Sequence, residues 1–126
     1  MGIVKIFVYG SLKNNFENND ILKKIGTYKT KAKTVKKFPM VINDKNGFVK
    51  FPYLLDQENT GLFINGEVWE IHHTKLKVLD DFESELFKRG IISVIDENDK
   101  IYTTQVYFKN KIIDFKYEDL IYEWTE

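Results

Sequence analysis

The first apolar block of the chain, Ile3 to Tyr9, is rich in β-branched and aromatic residues and ends at Gly10. That pattern predicts a strand followed by a turn. Its apolar character is nearly continuous, which places the strand in the middle of a sheet, covered on both faces. Phe16 to Lys24 predicts a short helix, capped by Asn or Asp and stopped before Gly26. Weak alternation from Tyr28 to Val35 predicts another strand. Phe38 to Ile42 is a short apolar run, closed by a turn at residues 43–47. Phe48 to Leu55 contains Pro52 and reads as an irregular or edge strand. Gly66 to Ile71 predicts a clear strand, and Thr74 to Phe82 carries the strongest helical period. Ile91–Ile95 and Tyr102–Phe108 form a hairpin around residues 96–99, and Tyr117 to Trp124 predicts a short, partly amphipathic helix. Strands dominate and short turns join them. The expectation is a single α+β domain over residues 1–126 with a mixed, barrel-like sheet.

The 74–83 helix carries the first candidate for chemistry. At about 100° per residue, Leu76, Leu79 and Phe82 share one face, while Lys77 and Asp81 point away. Glu83 follows Leu79 by four residues and Leu76 by seven, so it falls on the apolar side, at the C-terminal end of the helix. Desolvation and the partial negative charge of a helix C-terminus both favour the protonated carboxyl. A carboxylate raised above about 4.3 is suited to act as a base near neutral pH. The alternative is that Glu83 turns out to solvent or pairs with Arg89.

The turn after the first strand, Tyr9-Gly10-Ser11-Leu12, is the second candidate. Successive main-chain N–H groups in such a turn can form an anion-binding concavity. On spacing alone, a plain tight turn is the commoner outcome of this sequence.

Composition narrows the classes of function. The 126 residues are 43% hydrophobic and 15% aromatic, enough for one core and unlike a disordered chain. Nineteen acidic and nineteen basic residues give zero net charge, which argues against nucleic-acid binding. The absence of cysteine excludes disulfides, thiolate nucleophiles and zinc–thiolate sites. No apolar run approaches the roughly 18 residues of a membrane span, and Met1 to Ile6 lacks the basic and apolar regions of a signal peptide. A soluble, cytoplasmic protein is expected. His72-His73 project to opposite strand faces without a completing ligand, so no metal site is expected. Lys29, Lys31, Lys33, Lys36 and Lys37 read as a solvated strand face. Trp69 and Trp124 read as packing residues, and Arg89 as an anchor for Asp80 or Asp81. Asp80 flanks the apolar face, either supporting Glu83 or lying exposed.

The two candidate sites belong to an ordered set of motifs. Ile6-Phe7-Val8-Tyr9-Gly10-Ser11-Leu12 resembles the FVYGSL or FVYGTL opening of the γ-glutamylcyclotransferase-like (AIG2-like) family. Leu79-Asp80-Asp81-Phe82-Glu83-Ser84 is similar to the LDDFES segment of its γ-glutamylamine cyclotransferase branch. Phe38 to Ile42, Gly66 to Glu70 and Leu86 to Arg89 resemble further segments of that branch in the same order. The resemblance implies a small α+β barrel with short flanking helices and a substrate cavity at one mouth, without metal or cofactor. It also implies Glu83 as the catalytic glutamate, and Tyr9, Gly10, Ser11 and Leu12 as the loop whose amides hold a γ-glutamyl group. The partner is then a small-molecule γ-glutamyl substrate. Phe87 departs from the family's usual Tyr, and the segment between Glu83 and Phe87 is about two residues shorter than in the branch.

Overall fold

The computed structural model describes residues 2–43 and 49–126. In chain order the elements are β1 (Ile3–Val8), α1 (Asn19–Ile25), β2 (Gly26–Thr34), β3 (Met40–Ile42), β4 (Pro52–Leu54), β5 (Asn65–His72), α2 (Leu76–Glu83), β6 (Phe87–Asp96) and β7 (Ile101–Lys109). Five of the strands close into a barrel in the order β1-β5-β2-β6-β7, and β3 pairs with β4 as a separate two-stranded sheet. All the barrel pairings are antiparallel except β1 with β7, which makes the sheet mixed.

β1 lies between β5 and β7, as its continuous apolar run predicts. Its side chains alternate between two cores. Phe7 joins Met40, Leu54, Val68, Val94 and Val106 in one. Ile6 and Val8 join Trp69 and Ile71 in the other, together with Leu22 from α1 and Leu79 from α2. Leu22 and Leu79 are fully buried, so each stabilises its helix on the barrel by about 1.5–3 kcal/mol. Leu79 thereby fixes the helix that ends at Glu83. β1 and β5 approach closely only because position 66 is glycine. A Cβ there would stand 2.4 Å from the Val8 carbonyl oxygen and 2.6 Å from the Phe7 ring.

Four expectations need correction. The helix expected from Phe16 begins at Asn19, because residues 13–18 spend their backbone groups on successive tight turns. Asn18 does not cap it: its side-chain amide donates to Ser11 Oγ instead. The C-terminal helix is absent apart from a 3₁₀ turn at Tyr117–Asp119. That segment gives its backbone to the sheets instead, with Tyr122 O accepting from Asn65 N–H of the barrel and Ile121 N–H donating to Met40 O of β3. Finally, of the strand expected over 48–55, the described part (49–55) is strand only at Pro52–Leu54, which proline can open but not continue through, and Phe48 lies outside the described residues. The turn expected at 43–47 lies, apart from Asn43, outside the described residues. The hairpin of β6 and β7 forms with Val94 opposite Tyr102, as its pattern predicts.

Candidate active site

One cavity of about 270 Å³ opens where the C-terminal end of β1, the end of α2 and the start of β6 meet. Its wall contains Tyr9, Gly10, Ser11, Leu12 and Glu83, so both stretches singled out in the sequence face the same space. Phe51, Phe82 and Phe87 supply apolar surface. Phe51 and Phe87 pack with ring centres 6.4 Å apart, and Tyr53 stands behind them, 5.8 Å from Phe87. Phe82 is the exception to the helical wheel. It is 36% exposed, because it lines the cavity rather than the core.

Glu83 is the last residue of α2 and is half-buried, reached from solvent through the cavity. Among the described residues no donor is within hydrogen-bonding range of its carboxylate, and Arg89 is engaged elsewhere. Burial raises its pKa from 4.5 to about 7. The alternative of a salt bridge to Arg89 is thus not what forms. Arg89 Nε and Nη2 instead donate to the two Asp80 carboxylate oxygens at 3.1 and 3.2 Å. Asp80 Oδ1 also accepts from the Tyr107 hydroxyl at 2.6 Å. Lys77 and Asp81, the residues expected to point away, form an exposed ion pair.

The turn after β1 is held from several sides. Gly10 O accepts from Lys13 N–H at 3.1 Å, Ser11 O from Asn18 N–H at 3.0 Å, and Leu12 O from the Asn19 side chain at 2.8 Å. The carbonyls are therefore occupied. By contrast, among the described residues no acceptor takes the N–H of Gly10, Ser11 or Leu12. Three consecutive unclaimed donors border the cavity, which is the arrangement that binds a carboxylate or a developing oxyanion. Glycine at position 10 serves proximity, not φ. A Cβ would lie 3.2 Å from the Pro52 ring, which would have to give way by a few tenths of an ångström.

Tyr9 contributes its main chain to this turn, but its side chain has another use. Its hydroxyl donates to Tyr107 O at 2.5 Å and accepts from Leu54 N–H, and the residue is buried. Burial, then the nearby Glu83 carboxylate, hold the phenol well above its ordinary pKa, so it stays neutral. Ser11 Oγ accepts from Asn18.

Two participants leave no trace in sequence pattern. Tyr107 reaches the cavity from β7, and its environment is set by α2, which is remote in sequence. Burial first, then the bond to Asp80, raise its phenol far above the ordinary range. Ser84 follows Glu83 with φ 64° and ψ −167°, a conformation nearly reserved for glycine. A glycine would have signalled it; a serine does not. His72 and His73 stack at 4.5 Å on the exposed surface and are not part of the cavity wall, and no metal-binding cluster occurs among the described residues. Lys29, Lys31, Lys33, Lys36 and Lys37 are all exposed, and Trp69 and Trp124 are buried packing residues. Among the described residues, no helix is long and apolar enough to cross a membrane.

The model of the family described as "Gamma-glutamyl cyclotransferase, AIG2-like" matches residues 6–125. A human γ-glutamylaminecyclotransferase is 30% identical over 95 residues, covering 71% of this chain and 60% of the human protein. A putative γ-glutamylcyclotransferase of Methanocaldococcus jannaschii is 30% identical over 105 residues, covering 82% of each chain. The crystal structure of an AIG2-like protein from Mus musculus superposes with a TM-score of 0.82 at 26% identity, covering 98% of this chain and 87% of that one. The matches span about 60% of the length of the human relative and 62% of a rat one.

Proposed function

The chain belongs to the γ-glutamyl cyclotransferase, AIG2-like family, and from that membership and the cavity we propose that it releases 5-oxoproline from γ-glutamyl amines such as γ-glutamyl-ε-lysine. The observation that carries the reading is Glu83, a half-buried carboxyl without a described donor, facing the free amides of the Gly10–Leu12 turn across one cavity. The reaction requires no nucleophile from the protein. The substrate's α-amine attacks its own γ-carbonyl carbon. The new C–N bond closes a five-membered lactam, and the bond to the departing amine breaks. Glu83 takes a proton from the attacking nitrogen and delivers one to the leaving nitrogen.

The raised pKa decides whether this is feasible. The α-ammonium of the substrate has a pKa of about 8. Transfer to an ordinary carboxylate near 4.5 is uphill by about 3.5 in pKa, and transfer to Glu83 at about 7 by only about 1. At 1.36 kcal/mol for each, burial removes roughly 3 kcal/mol from that step. The turn amides hold the glutamyl carboxylate or the oxyanion, which keeps a flexible chain folded for ring closure. Alignment of this kind can supply part of about 7–11 kcal/mol. The apolar wall of Phe51, Phe82 and Phe87 accommodates the stem of the departing amine, and Phe87 offers it no hydroxyl.

Incubation with γ-glutamyl-ε-lysine, γ-glutamyl-alanine and glutathione, followed by 5-oxoproline detection, tests the reading. Release is expected from γ-glutamyl-ε-lysine above the other two. Because Glu83 works only when ionised, kcat/KM is expected to fall tenfold for each pH unit below about 7. Inertness toward all three, with binding retained, would instead mark a small-molecule binding module of the same fold.

A further inference from the structure

We infer that Asp80, braced by Tyr107 and Arg89, is a positioning residue that sets Glu83 at its working distance from the Gly10–Leu12 amides. The inference rests on the assignment of Glu83 as the base. Glu83 has no described side-chain donor of its own, so its place depends on where α2 ends. Asp80 lies three residues earlier on the same helix. It receives the Tyr107 hydroxyl from β7 at 2.6 Å and both arms of Arg89 from β6 at 3.1 and 3.2 Å. The Tyr107 carbonyl in turn accepts the Tyr9 hydroxyl at 2.5 Å, and Tyr9 opens the amide turn. Two hydrogen bonds, joined through the covalent frame of Tyr107, thus tie the residue that opens the turn to the helix bearing the base. Neither Asp80 nor Arg89 lines the cavity, so both act through other residues.

The helix end also stores strain. Ser84 holds φ 64° and ψ −167° directly after Glu83. Relaxation of that residue would swing the last turn of α2 and carry Glu83 with it. The brace one turn upstream opposes this movement. The ionisable groups around the carboxyl are Tyr9 from the turn after β1 and Tyr107 from β7, with Glu17, Lys50 and Glu126 elsewhere on the cavity wall.

The test is Asp80→Ala, read by kcat, KM, the pH profile of kcat/KM, and the titration of the Glu83 carboxyl by carbon NMR. We expect kcat to fall about 3- to 30-fold, with KM within about twofold, the split expected when transition-state alignment rather than binding is lost. The Glu83 titration is expected to move from about 7 toward the ordinary carboxylate range, because a loosened helix end admits water. Asp80→Asn keeps an acceptor for Tyr107 and should recover part of kcat. Tyr107→Phe added to Asp80→Ala should cost less than it does alone, since both cut one network. Should Asp80→Ala not fold, Asp80→Asn and Tyr107→Phe carry the same readouts. Wild-type kcat together with an unmoved Glu83 titration in the Asp80 variants overturns the proposal. If Glu83→Gln remains active while Asp80→Ala still shifts the Glu83 titration, the base assignment fails and the brace stands. An inactive Glu83→Gln beside an unaltered Asp80→Ala removes the brace alone.

Discussion

Glu83→Gln is expected to lower kcat for 5-oxoproline release by about 10²–10⁴-fold, the contribution of a well-placed general acid–base. Glutamine keeps the size of the side chain and its place at the end of α2 but cannot take a proton from the α-ammonium. The amides of Gly10, Ser11 and Leu12 are untouched, so KM should change little. A loss in kcat at constant KM identifies an interaction made only in the transition state. Single-turnover measurement of 5-oxoproline separates this from slow product release. Retention of most of the wild-type rate would remove Glu83 from the chemistry.

The same substitution is expected to stabilise the protein, and only above a defined pH. Glu83 titrates at about 7 when folded and near 4.5 when unfolded. Below 4.5 the carboxyl is protonated in both states, and its favourable contribution is fully present. Between 4.5 and 7 the unfolded chain releases the proton while the folded one retains it, so stability declines as pH rises. Above 7 the folded protein carries a desolvated charge and the loss is complete. Glutamine is neutral throughout. Thermal melts of wild type and Glu83→Gln should therefore coincide near pH 4.5 and separate by about 1–3 kcal/mol at pH 8, with the variant the more stable. The 1.36 kcal/mol for each pKa unit sets the upper end, discounted because the side chain is only half-buried. A variant of equal stability at both values would mean that the carboxylate is solvated. Function then has a thermodynamic cost at the position where the sequence breaks its own pattern, an acid on an apolar face.

That break in pattern is also why this part of the site was legible. Leu76 and Leu79 fix the register of α2, and Glu83 falls on their side of the wheel whatever the tertiary context. β1 was equally clear, because a continuous apolar run flanked by Gly10 has few other outcomes. The C-terminal segment misled because its period describes side chains only. Its backbone is claimed by Asn65 and Met40, partners that no local window contains. Tyr107 was obscured for the same reason. Its significance lies in Asp80, 27 residues away, and appears only when the barrel closes. Arg89 was readable as an anchor because it is the only arginine in the chain beside two neighbouring aspartates. The strained Ser84 had no signal at all, since serine conceals what glycine would have announced.

The central claim is that one cavity brings a glutamyl group between main-chain donors and a protonatable carboxyl. A crystal structure of Glu83→Gln with γ-glutamyl-ε-lysine bound examines this most directly. The account predicts acceptor oxygens of the glutamyl group on the N–H groups of Gly10, Ser11 and Leu12, with the substrate α-amine in hydrogen-bonding range of residue 83 and close to its own γ-carbonyl carbon. A ligand seated elsewhere, or with its α-amine turned away from residue 83, would contradict it.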